Sequence, residues 1–176
     1  MRGEALATGD GRQTDRARAL REAFDRGFAE TPATAMAEQT DLLALSLAGH
    51  RFAIRLGEAA GLFADRKVTP APTAMREFRG IAGVRGALVP VYDLAVLMGY
   101  APAEHLRWLL LAREAPVAFA FDTFDGQLRL DSAVLAPHQD QTRDTVREVA
   151  RLDTPRPVIH IPSVIAALRR RMPKEG

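Results

Sequence analysis

The chain has 176 residues, room for one domain or two small ones, and its 47% hydrophobic and 26% charged residues match an ordinary globular protein with a sparse 6% of aromatics. A formal net charge of +2 is a weak argument for a nucleic-acid partner, and the absence of cysteine excludes a disulfide framework, a thiolate nucleophile and a cysteine metal site. No apolar run approaches the ~18–20 residues that span a bilayer, and the N-terminus lacks the apolar core of a signal peptide, so a cytoplasmic protein is expected.

Residues 1–41 read as an extension. Met1–Gln13 is polar and glycine-rich, the composition of a disordered segment. Thr14 or Asp15 caps a predicted helix over 15–30, with Ala17, Leu20, Phe24 and Phe28 on one stripe and Arg18–Glu22, Arg21–Asp25 and Glu22–Arg26 as i,i+4 pairs. Such a helix docks either on the body of the domain or on a partner; both charge signs on it argue against a membrane surface. Thr31–Asp41, with Pro32 and many small residues, reads as a linker.

Leu42–Leu47 and the alternating Arg51–Leu56 predict a β-hairpin about a turn at Ala48-Gly49-His50. Val68–Met75 contains Pro70 and Pro72 and is expected to be extended or irregular. Gly80, Gly83 and Gly86, at spacing three, predict a sharply turned corner feeding the strand Ala87–Val91. Pro90 lacks a ladder donor, which places that strand at an edge or an end there. Asp93 is a natural cap for a short helix to Met98.

Trp108–Ala112 and Pro116–Phe121 are apolar runs of strand length, and Asp125-Gly126 is a turn dipeptide. Gln127–Leu135 is ambiguous, and Ala136–Thr145 is a polar loop. Val146–Leu152 and Pro157–Ile161 form a closing strand pair, and Pro162-Ser163 starts a C-terminal helix. Arg169, Arg170 and Arg171 fall at its C-terminal end, where the helix dipole favours cations without any ligand.

The stretch Gly80–Leu94, GIAGVRGALVPVYDL, resembles the signature of the CheW-like domain, the adaptor of bacterial chemosensory arrays, whose usual form is close to G-V-I-N-L-R-G-x-I-x-P-V-I-D-L. Gly80, Arg85, Gly86, Pro90, Val91, Asp93 and Leu94 stand where that pattern expects them. Leu45, Leu47, Gly49, Phe52, Ala53 and Ile54 match its L-x-L-x-G-x-x-[FY]-A-I strand, Thr69–Pro72 its T-P-[VA]-P turn, and Asp122 the aspartate of its G-L-x-V-D element. The likeness covers about residues 42–170. It implies a mainly β fold of two small, intertwined five-stranded SH3-like barrels, about 48–106 and 107–162 with strand 42–47 crossing, and a C-terminal helix, all within 42–176.

The resemblance also implies a non-enzymatic scaffold with two partners, the regulatory domain of a histidine kinase and the cytoplasmic tip of a methyl-accepting chemoreceptor. The candidate contact residues are Gly80, Arg85 and Gly86 with Val68, Pro70 and Pro72. Two departures stand out. The family's asparagine is replaced at Gly83, and the glutamate that often faces the signature arginine is missing from Ala59-Ala60-Gly61-Leu62, with Glu58 the nearest substitute. Arg85 then either ties two loops or points outward to a partner's carboxylate, and its presence without the glutamate favours the second. A diverged scaffold that binds only receptor or only kinase, in a motility, pilus or developmental pathway, is the alternative.

No chemistry competes with these readings. His50, His105, His138 and His160 show no metal-ligand spacing, and Ser46, Ser132 and Ser163 lie in no nucleophile elbow. Gly80–Gly86 is neither a Walker loop nor a dinucleotide fingerprint. No cofactor, metal or catalytic residue is expected. The aromatics alternate on apolar strand faces, unlike the stacking platform of a nucleic-acid-binding barrel.

Overall fold

A computed structural model describes residues 38–138 and 144–172. The helix expected over 15–30 lies outside the described residues. From Gln39 onward the chain forms β1 (Gln39–Leu47), β2 (His50–Arg55), a 3-10 turn at Leu56–Glu58, β3 (Ala59–Ala64), β4 (Val68–Thr69), β5 (Phe78–Val84) and β6 (Ala87–Asp93). There follow α1 (Leu94–Leu97), β7 (Trp108–Ala112), β8 (Ala118–Phe121), β9 (Thr123–Asp131), a second 3-10 turn at Ser132–Val134, β10 (Leu135–Pro137), β11 (Val146–Ala150), β12 (Arg156–Ile159) and α2 (Ile161–Arg171).

The strands make two six-stranded sheets, ordered β10-β11-β12-β2-β1-β9 and β3-β7-β8-β6-β5-β4. Both follow one plan: an antiparallel trio joined in parallel to a second antiparallel trio, through β12–β2 in one sheet and β6–β8 in the other. The expected closed five-stranded barrels are therefore corrected to open sheets. Their edges explain why. β4 is two residues long and runs into Pro70 and Pro72, and the three-residue β10 ends at Pro137, so neither offers a ladder long enough to close on.

The sheets also do not divide the chain at residue 106. β2 lies with the C-terminal strands, whereas β7 and β8 lie with β3 to β6, so the chain changes sheet at the first 3-10 turn and again after Phe121. The apolar runs are short and uniform, and such runs are good strands in either sheet.

Hydrophobic burial then sets the architecture. Leu43, Leu45 and Leu47 of β1 and Phe52 and Ile54 of β2 pack with Leu110, Phe119 and Phe121 of the other sheet. Both helices join this shared core, α2 through Ile161, Val164, Ile165 and Leu168. Each sheet also curls around a smaller cluster of its own, Ala82, Val84, Val89, Val91 and Leu109 in one, Leu42, Ala53, Ala150 and Val158 in the other. That is why Ala53, expected on the polar face of an alternating strand, is fully buried: β2 is an interior strand covered on both faces.

Candidate partner-binding face

The β5–β6 hairpin closes through the two-residue turn Arg85-Gly86, with φ of 51° and 82°. Positive φ at both central residues is the geometry whose twist matches the flanking strands. The predicted glycine corner is corrected accordingly: only Gly86 is at the turn, while Gly80 and Gly83 lie within β5. Gly80, at φ 134°, has a different task. A Cβ there would collide with the Thr69 carbonyl and come within 2.9 Å of Pro70 Cα, so the missing side chain lets β4 and the proline turn lie against β5.

Alternation sorts the hairpin into two faces. Ala82, Val84, Val89 and Val91 point into the small core of the sheet, and Val68 packs against them from β4. On the other face Ile81 is 38% and Leu88 79% exposed. Leu88 pairs with Gly83, and a Cβ on Gly83 would meet nothing within 4 Å, so bare backbone floors a shallow groove beside the leucine. Ile81, Gly83, Leu88, Thr69, Arg66 and Lys67 line it, enclosing about 530 Å³.

At the hairpin tip, Arg85 is exposed and reaches across to β3. Its guanidinium lies 5.6 Å from the centre of the Phe63 ring, and Arg66 sits over the same ring at 5.3 Å. Gly61 makes this possible, because a Cβ there would stand 3.1 Å from Arg85 Nη2. Among the described residues, Arg66, Lys67 and Arg85 have no carboxylate partner. The nearby Asp65 pairs with Arg107 instead, at 3.3 Å.

The structure thus brings Gly80, Val68 and Pro70 together at the β4–β5 edge and sets Arg85 and Gly86 at the tip of the same hairpin. Pro70 and Pro72 are exposed, and Val68 is half-buried and turned inward. Sequence reasoning missed Phe63, Arg66, Lys67, Ile81 and Leu88. A strict period-two reading of β6 would have singled out Leu88, opposite in face to Val89 and Val91. Pro90 lies at a local edge, as its missing donor requires. β6 is an interior strand, but β8 pairs only with Val91–Asp93, so Pro90 has a neighbour, Ile81, on one side alone.

Asp93 anchors the hairpin from beneath. It is fully buried, caps α1 by accepting the Val96 N–H (3.2 Å), and accepts from Arg79 Nη2 at 2.6 Å. Its own N–H donates to the Glu77 carbonyl at 2.7 Å, and the buried Glu77 carboxylate lies 3.5 Å from Arg171 at the end of α2.

Glu58 does not substitute for the missing glutamate. It turns to α2, accepting the Ile161 N–H at 2.7 Å. His160 Nδ1 accepts the Ser163 N–H at 3.3 Å and lies 2.8 Å from Ser163 Oγ; an acceptor at Nδ1 leaves the neutral ring's proton on Nε2, 3.9 Å from Glu58. Burial holds the Glu58 carboxyl above its ordinary range, opposed by the Ile161 hydrogen bond, and burial with the Arg147 charge holds His160 below its own. The serine is buried and both side chains serve the first turn of α2, so the cluster is a helix cap. Among the described residues no group of three or more His, Asp or Glu gathers to hold a metal.

The family described as CheW-like domain matches residues 41–171. Among solved structures, the crystal structure of the scaffolding protein TtCheW from Thermoanaerobacter tengcongensis superposes with a TM-score of 0.63 at 18% identity, covering 70% of this chain and 90% of that one. At that identity the likeness is one of fold. No curated protein sequence gives a significant match.

Proposed function

Because the chain belongs to the CheW-like domain family, we propose that it is a non-enzymatic chemosensory adaptor that couples the cytoplasmic tip of a chemoreceptor to the regulatory domain of a histidine kinase and sets the activity of that kinase. The family supports the coarser statement, a scaffold or adaptor of chemotaxis. The observation that carries the finer one is the exposed Ile81–Leu88 face with its cationic rim, since an apolar surface of this kind marks a protein contact. In this reading Arg85 and the Gly86 turn meet the partner, and Gly80 seats β4, anchored inward by Val68, so that the exposed Pro70 and Pro72 stand beside the hairpin. The protein works in the cytoplasm, without cofactor, nucleic acid or membrane insertion; among the described residues no helix is long and apolar enough to cross a membrane.

One feature favours a narrower second reading. Ala59-Ala60-Gly61-Leu62 stands where the family often carries the glutamate that faces the arginine, and Gly61 lies there beside Phe63 and Arg85. A scaffold altered at that point retains one of the two contacts, receptor or kinase, and serves a motility, pilus or developmental pathway. Calorimetric titration with the kinase regulatory domain and with a receptor-tip fragment from the same genome separates the two. Saturable binding of both at micromolar Kd, about −8 kcal/mol, is expected for coupling. Binding of one alone selects the narrower reading, and binding of neither refutes both.

A further inference from the structure

Every N–H at the start of α2 has an acceptor. His160 N–H donates to the Thr145 carbonyl at 2.8 Å, Ile161 N–H to Glu58 at 2.7 Å, and Ser163 N–H to His160 Nδ1 at 3.3 Å. Pro162 has no N–H to place, and from Val164 onward the helix uses its own carbonyls, beginning with that of His160 at 3.1 Å. The closing of the first turn therefore depends on one ring nitrogen.

The kind of cap matters. Asp93 closes α1 and Asp131 the second 3-10 turn, each through a carboxylate oxygen. At α2 the acceptor is an imidazole nitrogen, and the proton that an imidazole takes up near neutral pH binds at that same atom and makes it a donor. Ser163 N–H would then face another donor. Ser163 Oγ, 2.8 Å from Nδ1, can reverse its role and accept, so a charged ring still has a partner while the backbone N–H has lost its own.

A proton can reach this nitrogen without unfolding the chain. The His160 side chain is 26% exposed and lines a cavity of about 260 Å³. Charges of both signs surround it. Glu58 on the first 3-10 turn lies 3.9 Å from Nε2, Arg55 comes from β2, Arg147 and Glu148 come from β11, and Glu114 acts from the loop ahead of β8. Arg55 and Glu148 pair with each other at 2.7 Å. Burial first, then the Arg147 charge, holds the folded ring below its ordinary 6.5, with Glu114 and Glu148 opposing. The neutral, closing form thus prevails at pH 7 and is lost as pH falls through the folded value. The later turns of α2 are held independently, by buried Ile165 and Leu168 and by Arg171 against Glu77 at 3.5 Å.

We propose that His160 is a pH-operated latch on α2: its neutral ring closes the first turn, and protonation at Nδ1 opens Ile161–Val164 while the later turns stay packed. The opening frees the seam where the first 3-10 turn, β11 and α2 meet, without unfolding either sheet.

The test follows amide exchange of the full chain by NMR between pH 8 and 5, corrected for intrinsic exchange, with the His160 ring proton resonances titrated in the same samples. Protection at Ser163 and Val164 is expected to fall about five- to tenfold, with the midpoint of the His160 ring and below pH 6.5, while amides of Leu168, Leu110 and Phe119 keep theirs. His160→Asn, which supplies a cap that does not titrate, should hold protection at Ser163 constant across the range, and His160→Ala should leave the turn open at every pH. Glu58→Gln should keep the pH response. Protection at Ser163 that stays constant while the ring titrates would overturn the proposal, and this arm needs no variant to fold. So would a fall shared equally by Leu110 and Phe119, which would be loss of global stability, a response that persists in His160→Asn, or one that vanishes in Glu58→Gln, which would make the carboxyl the switch.

Discussion

Arg85 was open to two readings from the sequence, a tie between loops or an outward contact. It is exposed and stacked on Phe63, with no carboxylate partner among the described residues. Arg85→Gly is expected to relax the turn and leave stability unchanged or raised by up to about 1 kcal/mol, while partner binding weakens at least tenfold; urea unfolding beside calorimetry reads both. Arg85→Glu should abolish receptor binding in a chain that still folds, whereas an unfolded Arg85→Glu would make the arginine structural.

Glu58 and His160 make stability depend on pH in opposite directions. The folded His160 pKa lies below its ordinary 6.5, so between the two values the folded state holds fewer protons than the unfolded one, and stability falls as pH drops through that window. The folded Glu58 pKa lies above its ordinary 4.5, so the folded state holds more protons there, and stability falls as pH rises through that window. Glu58→Gln keeps an acceptor for the Ile161 N–H and removes the half-buried charge. It should be more stable than the native chain at pH 7 and show only the His160 slope below pH 6.5, as read from urea unfolding across that range.

At the scale of elements, the β5–β6 hairpin depends on contacts at both ends. Gly80 admits Thr69 and Pro70, and Gly80→Ala would drive a methyl group into the Thr69 carbonyl while losing the tolerance for φ 134°. It is expected to displace β4 and cost roughly 2 kcal/mol or more, seen as faster amide exchange at Val68–Thr69 and Ile81–Ala82. Asp93 supports the other end, and its place as a cap was legible because the cap contact is local, between Asp93 and Val96. Its pairing with Arg79 was not, since nothing in the spacing required it. The C-terminal arginines behave in part as the helix dipole suggests. Arg169 and Arg170 are exposed, whereas Arg171 lies against Glu77 and links α2 to the start of β5.

Across the whole molecule the shared core couples the two sheets. Phe119 is fully buried in the core cluster to which both helices and β1 also contribute. Phe119→Ala should cost about 3–5 kcal/mol and lower one cooperative transition, with Trp108 fluorescence and far-UV circular dichroism changing together. Separate transitions would show that the sheets fold independently.

Strand content, the Asp93 cap, the C-terminal helix and the family motif were all readable from residues near one another in the chain. Asp125-Gly126 was a local signal that failed: it reads as a turn but lies inside β9, where the ladder with β1 shifts register at Ala44–Leu45 and Gly126 adopts φ 129°. Local preference there yielded to pairing with a strand some eighty residues earlier. The same limit hid the candidate face. Alternation and capping depend on neighbours along the chain, so they could be derived from the order of residues. Which strands share a sheet, the gap that Gly61 leaves for Arg85, and the gathering of Arg66, Lys67, Ile81 and Leu88 around one groove depend on burial and contact between distant segments. Only the tertiary structure decided those, because a strand buried on both faces carries no mark of its neighbours and a cation's partner is set by what folding brings beside it.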